Sequence, residues 1–151
     1  MFEDIVLVKD ILNGESDKFG NIVDKYEKII FILIYNLIGN NYDSVKICKE
    51  VFICAYENLY KYNFNCKFSN WILKIAIDRY NFYARNNEVK NIDVLPSLDC
   101  KDKCIIALKS LKKDLTYKDI GEVLDTNENN IKERYRKTIN IYISALKEAA
   151  L

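Results

Sequence analysis

Along most of this chain an apolar residue returns every three or four positions, the period that sets one face of a helix against a core. Phe2 to Leu12 carries the first such run, which stops at "NGES", where Gly14 suits a helix end and Ser16 suits the cap of the next start. The second run extends from Asp17 to Ile38 and contains "IIFILIY", Ile29 to Tyr35. That stretch is far too short to cross a bilayer, so it predicts a core helix. After "GNN", Asp43 is placed to cap a third helix in which Val45, Cys48, Val51, Phe52, Ala55 and Leu59 form one stripe. Lys46, Lys49, Glu50, Ile53 and Glu57 then face outward. "KYNFNCK", Lys61 to Lys67, breaks the period with polar and aromatic residues, and a fourth helix begins at Phe68. Ser69 is its expected cap, and Phe68, Trp71, Ile72 and Ile75 its inward face.

The period lapses in "NNEVKNIDVLPS", which holds the only proline and predicts a linker over 87–97. The expected organisation is a four-helix domain over 1–86 and a smaller domain over 98–151. Asp99 to Lys113 predicts a helix with Ile105, Ile106, Leu108 and Leu111 inward. "TYKDIGEVL" then opens with Thr116 and Asp119 at the first and last places of a capping box. Asp125 stands where a tight turn needs a left-handed residue, Thr126 or Asn127 can cap the final helix, and Gly121 marks the closest approach of the two helices. A short capped helix, a tight turn and a second helix opening on Asn, Lys and Arg make a helix-turn-helix arrangement.

Composition sharpens this picture. Four glycines and one proline in 151 residues, half of them hydrophobic, fit an all-α chain with real cores. The net charge of +1 neither predicts nor forbids nucleic acid, because an acidic remainder can hide a basic face. Five cysteines, an odd number without a C-x-x-C pair, behind an N-terminus without a signal-peptide layout, predict reduced thiols in a cytoplasmic protein. Cys100 and Cys104 lie one helical turn apart, but with no His in the chain they read as packing thiols rather than metal ligands, and no cofactor is expected. The absence of His, of a Gly-rich phosphate loop and of a nucleophile motif argues against an enzyme.

"YNFNCKFSNWILKIAIDRYNFYAR" resembles region 2 of the small bacterial sigma factors of the extracytoplasmic-function type, in which a Phe-x-x-Trp core precedes a DNA-facing helix end. "YDSVKICKEVFICAYENLYKY" is similar to that family's polymerase-binding helix, with Glu50, Val51, Phe52, Ala55 and Tyr56 at matching positions. "LDCKDKCIIALKSLKKDLTYKDIGEVLDTNENNIKERYRKT" resembles region 4, the family's helix-turn-helix. The likeness runs in order from Asp10 onward. Departures are visible: Lys46 and Lys49 stand where the family usually carries an acidic residue and Gln, and Asn129-Asn130 replaces the usual Gly-Thr.

The resemblance implies that the first domain grips core RNA polymerase and opens promoter DNA at the minus-ten element, and that the second reads the minus-thirty-five element. Lys46, Lys49, Glu50 and Ile53 then form the polymerase-binding face. Lys61, Tyr62, Asn63, Phe64, Asn65, Lys67, Lys74 and Arg79 meet the minus-ten strand, where aromatic rings such as Tyr62, Phe64, Tyr80 or Tyr83 support splayed bases by stacking. The ordinary alternative for each ring is core packing, and Trp71 fits the core better. Asn127, Asn129, Asn130, Lys132, Glu133, Arg134, Arg136 and Lys137 lie on the presumed recognition helix. There Asn matches adenine, Arg matches guanine, and Lys132 and Lys137 suit phosphates. Glu133 either accepts from cytosine or pairs with Lys137 one turn on. The expected partners are core polymerase, promoter DNA and an anti-sigma factor, without membrane insertion. The competing reading is a diverged interaction module that binds polymerase or an anti-sigma factor without initiating transcription.

Overall fold

The computed structural model describes residues 2–87, 98–111 and 115–150, and the predicted linker over 87–97 lies outside them except for Asn87. Among the described residues there are seven α-helices and no strand: α1 (Phe2–Leu12), α2 (Phe19–Ile38), α3 (Asn41–Glu57), α4 (Phe68–Asn86), α5 (Cys100–Lys109), α6 (Tyr117–Val123) and α7 (Glu128–Ala149). Short 3-10 turns at Ser16–Lys18 and Leu59–Lys61 lead into α2 and out of α3. The all-α expectation holds.

The central element is α2, which packs against α1, α3, α4 and α5. Its buried residues, Ile22, Tyr26, Ile30, Leu33, Ile34 and Ile38, fall at helical spacing. Each large aliphatic side chain among them stabilises the fold by roughly 1.5–3 kcal/mol relative to exposure. Gly39 ends the helix in the left-handed conformation at φ 70°, with its N–H returning to the Tyr35 carbonyl. Asp4 of α1 is buried against α2, where Lys25 Nζ (2.6 Å) and Tyr26 Oη (2.9 Å) both donate to its carboxylate. A buried carboxylate is tolerable when its oxygens are bonded in this way.

Several capping expectations are corrected. Ser16 does not cap α2: it lies inside the 3-10 turn, and no side chain caps either the turn or the helix that follows. Asn40, not Asp43, caps α3 by accepting from the Asp43 N–H, while the Asp43 carboxylate accepts from Asn40 and from Tyr83 Oη at 2.8 Å. Ser69 is already helical, and Lys67 precedes α4 without a side-chain cap. Val45 is exposed, because Ser44 and Ile47 take the inward positions on either side of it. The fifth helix ends at Lys109 rather than Lys113, which lies outside the described residues, and Ile106 is only half-buried.

Candidate nucleic-acid interface

The last two helices are set by local chemistry. Thr116 and Asp119 form the expected capping box at the start of α6, each bonding the other's backbone N–H. Asp125 takes the left-handed turn at φ 50°. A Cβ on Gly121 would stand 2.5 Å from the Thr126 carbonyl oxygen, so the turn folds back onto α6 at a point where only hydrogen fits. Asn127 then caps α7 by accepting from the Asn130 N–H at 2.8 Å. This is a helix-turn-helix geometry, held to its support by Ile120, Val123 and Ile131, all buried.

On the opening turns of α7, Asn129, Asn130, Glu133, Arg136 and Lys137 are exposed and form an outward polar face, beginning at the exposed Asn127. Lys132 pairs with Glu128 at 2.8 Å and also lies 5.9 Å from the Tyr117 ring. Arg134 is directed elsewhere: its Nη2 donates to Asp99 (2.6 Å), the cap of α5, and its Nε to Asp102 (2.8 Å) on that helix's first turn. Burial pushes the Asp99 carboxyl up, but the Asp102 N–H and the Arg134 guanidinium outweigh it and hold it below the usual carboxylate range. Seven of the eight expected α7 residues thus share a surface, and the eighth clamps α7 to α5.

The loop before α4 is ordered by aromatic packing. Tyr62 is 3% exposed, with rings of Phe64, Phe68 and Trp71 at 4.8, 5.4 and 5.6 Å, and its hydroxyl donates to the Cys66 carbonyl at 2.6 Å. Tyr80 is equally buried, so neither ring is a surface platform here. Phe64 is the ring this loop presents, carried at φ 62° beside the exposed Lys61, Asn63 and Asn65, with Lys9 5.7 Å from its centroid. Arg79 lies over Phe82 at 5.8 Å, and its Nε is buried without a hydrogen-bond partner among the described residues. On α3, Lys46, Lys49 and Ile53 are exposed and Glu50 half-buried, one outward face as expected.

Sequence reasoning missed what the two lysines nearest α4's surface do. Lys67 donates to Asp119 at 2.9 Å, and Lys74 pairs with Asp125. Asn70, buried, donates to both Asp119 (2.9 Å) and Glu122 (2.7 Å). The acidic edge of α6 and its turn therefore lies against the basic edge of α4. Burial opposes ionisation of Asp119, yet the bonds from Asn70, Lys67 and Thr116 hold its carboxyl well below the ordinary range. Asp119 was legible as a cap; its partners some fifty residues away had no local signal.

A 69-residue stretch of the chain is 39% identical to the ECF RNA polymerase sigma factor SigW of Bacillus subtilis. Over that stretch the chain is similar to a sigma factor of the extracytoplasmic-function type. A second relative, the RNA polymerase sigma-H factor of Pseudomonas aeruginosa, is 28% identical over 94 residues. The matches cover 46% and 61% of this chain but only 37% and 49% of those two sigma factors, half of their length or less. Two solved structures share the fold: CnrH in complex with the cytosolic domain of CnrY, at TM-score 0.77 and 19% identity over 95% of this chain and 96% of that one, and the sigma factor RpoE in complex with the anti-sigma factor NepR from Bartonella quintana, at TM-score 0.68 and 13% identity over 85% and 96%. No family profile matches the chain. Among the described residues no helix is long and apolar enough to cross a membrane.

Proposed function

We propose that this chain is an RNA polymerase sigma factor that directs promoter recognition, acting in the cytoplasm without catalysis of its own. The observation that carries this is the 39% identity to a named ECF sigma factor, found in a chain whose last two helices form a capped helix-turn-helix with a polar outer face. Residues 1–86 form the unit that binds core polymerase through Lys46, Lys49, Glu50 and Ile53 of α3. The same unit meets the minus-ten element through the loop at 61–67 with Lys74 and Arg79. Residues 98–151 form the unit that meets the minus-thirty-five element, through Asn127, Asn129, Asn130, Lys132, Glu133, Arg136 and Lys137. Asn and Arg on an exposed helix face supply bidentate donors and acceptors for base edges, and Lys supplies phosphate contacts.

The test is run-off transcription with core polymerase and a pool of promoter fragments, with and without the protein. Transcripts that depend on the protein and share a sequence motif are the expected result; polymerase binding in a pull-down with no such transcript overturns it. A second reading, an interaction module that binds polymerase or an anti-sigma factor without initiating, draws support from the pairing of Lys67 and Lys74 with Asp119 and Asp125. Two lysines expected at the melted strand are engaged within the chain. One structural neighbour, RpoE of Bartonella quintana, was solved with an anti-sigma factor, which extends the same class of partner to this chain.

A further inference from the structure

Lys67, Asn70 and Lys74 stand three and four residues apart, so they follow one edge of α4 from the residue just before its first turn. Asp119, Glu122 and Asp125 stand three apart along α6 and the turn after it. The two rows meet in register. Lys67 Nζ donates to Asp119 at 2.9 Å, Asn70 Nδ2 donates to Asp119 at 2.9 Å and to Glu122 at 2.7 Å, and Lys74 pairs with Asp125. Asn70 is 2% exposed, and its Oδ1 has no hydrogen-bond partner among the described residues. That amide therefore serves wholly as a donor to anions.

We propose that the carboxylate row of α6 is an autoinhibitory stand-in for the phosphates of a nucleic-acid strand, closing the α4 edge to single-stranded DNA until the strand displaces it. This rests on the reading of Lys67 and Lys74 as minus-ten contacts. A phosphodiester backbone offers what the row offers, anionic oxygens at repeated intervals that accept from Lys and from amide N–H groups.

The row is graded from a firm end to a loose one. Asp119, with its side chain 5% exposed, accepts from Lys67, Asn70 and Thr116. Asp125 is 73% exposed at its side chain and has Lys74 as its partner. An exposed pair of that kind adds little stability. A strand therefore takes Lys74 first and advances toward Asp119. It also releases counterions as it binds, a gain that the tethered carboxylates lack.

The experiment is fluorescence anisotropy of a labelled single strand of mixed sequence, titrated with the intact chain in moderate salt. Glu122→Gln with Asp125→Asn keeps both side-chain shapes and leaves the Asp119 cap in place, and Asn tolerates the left-handed φ of 50° at position 125 as Asp does. This double variant should bind about tenfold tighter than the parent, with a salt dependence steeper by about 0.7 for each phosphate contact freed. Asp17→Asn with Asp24→Asn removes the same charge from exposed positions elsewhere and should stay within about twofold of the parent. Adding Lys67→Gln and Lys74→Gln to the first variant should cancel its gain. Carbodiimide coupling, which joins an amine only to a carboxylate it already touches, reads the contact itself. The free chain should yield a Lys74–Asp125 isopeptide, and saturating strand should suppress it several-fold.

Equal affinity of the parent and the Glu122/Asp125 variant, a matching gain in the Asp17/Asp24 control, or an isopeptide missing from the free chain or unchanged by saturating strand overturns the proposal. Run-off transcription scores the promoter reading separately. A chain that shows the gain and the isopeptide but makes no transcript keeps the autoinhibitory contact and loses that reading, and one that makes transcripts without the gain loses the contact alone.

Discussion

Arg134 has the chemistry of a guanine reader and sits in a helix expected to read bases, yet its guanidinium spans Asp99 and Asp102 of α5. Two charge-assisted bonds to two carboxylates in a partly buried setting are worth more than one solvent-facing pair. Arg134→Ala should therefore lower stability by about 1–3 kcal/mol in urea unfolding. Arg134→Lys should recover little, because a point charge cannot serve both carboxylates at once. Arg136→Ala, on the exposed face, should leave unfolding unchanged and weaken duplex binding by about 1–3 kcal/mol if it meets a base. An unfolding curve for Arg134→Ala that overlays the parent would sink the clamp. The sequence offers Arg134 and Arg136 as equals; only the position of α5 separates them, and that is a tertiary fact.

Among the elements, those legible from sequence were the ones whose ends are closed by neighbours in sequence. The capping box of α6, the left-handed Asp125 and the Asn127 cap each need only four or five residues, and each is where the pattern put it. The caps expected at Ser16, Asp43 and Ser69 failed where other chemistry competed: a 3-10 turn absorbs Ser16, Asn40 captures the Asp43 N–H, and Ser69 is drawn inside a helix that starts with Phe68 buried. Gly121 shows the same locality from the side of packing. Gly121→Ala sets a methyl 2.5 Å from a backbone carbonyl that cannot rotate away, so the turn must shift. The expected cost is about 1–3 kcal/mol in thermal unfolding, with duplex binding lost alongside because α7 moves with the turn. Gly20→Ala, where nothing lies within 4 Å of the added methyl, is the control and should not destabilise.

At the scale of the molecule, the contact between α4 and α6 joins segments that the sequence treats as separate units, and it is built on one carboxylate with two duties. Asp119 closes the α6 capping box and also receives Lys67 and Asn70 from α4. The two duties separate by comparison. Thr116→Ala removes the half of the capping box made by the Thr116 hydroxyl, at about 1 kcal/mol. Asp119→Ala removes the other half, the bond from the Thr116 N–H, together with those from Lys67 and Asn70, so it should cost about 2–4 kcal/mol. Acid provides an independent check. The Asp119 carboxyl is depressed in the folded state, so its contribution is complete above the ordinary carboxylate range and is lost as pH falls through the lower folded value. The gap in unfolding free energy between the parent chain and Asp119→Ala should be constant from pH 7 to about pH 5 and should narrow below about pH 4. Equal losses for Thr116→Ala and Asp119→Ala at pH 7 would mean that the bonds from Lys67 and Asn70 to Asp119 add nothing to stability.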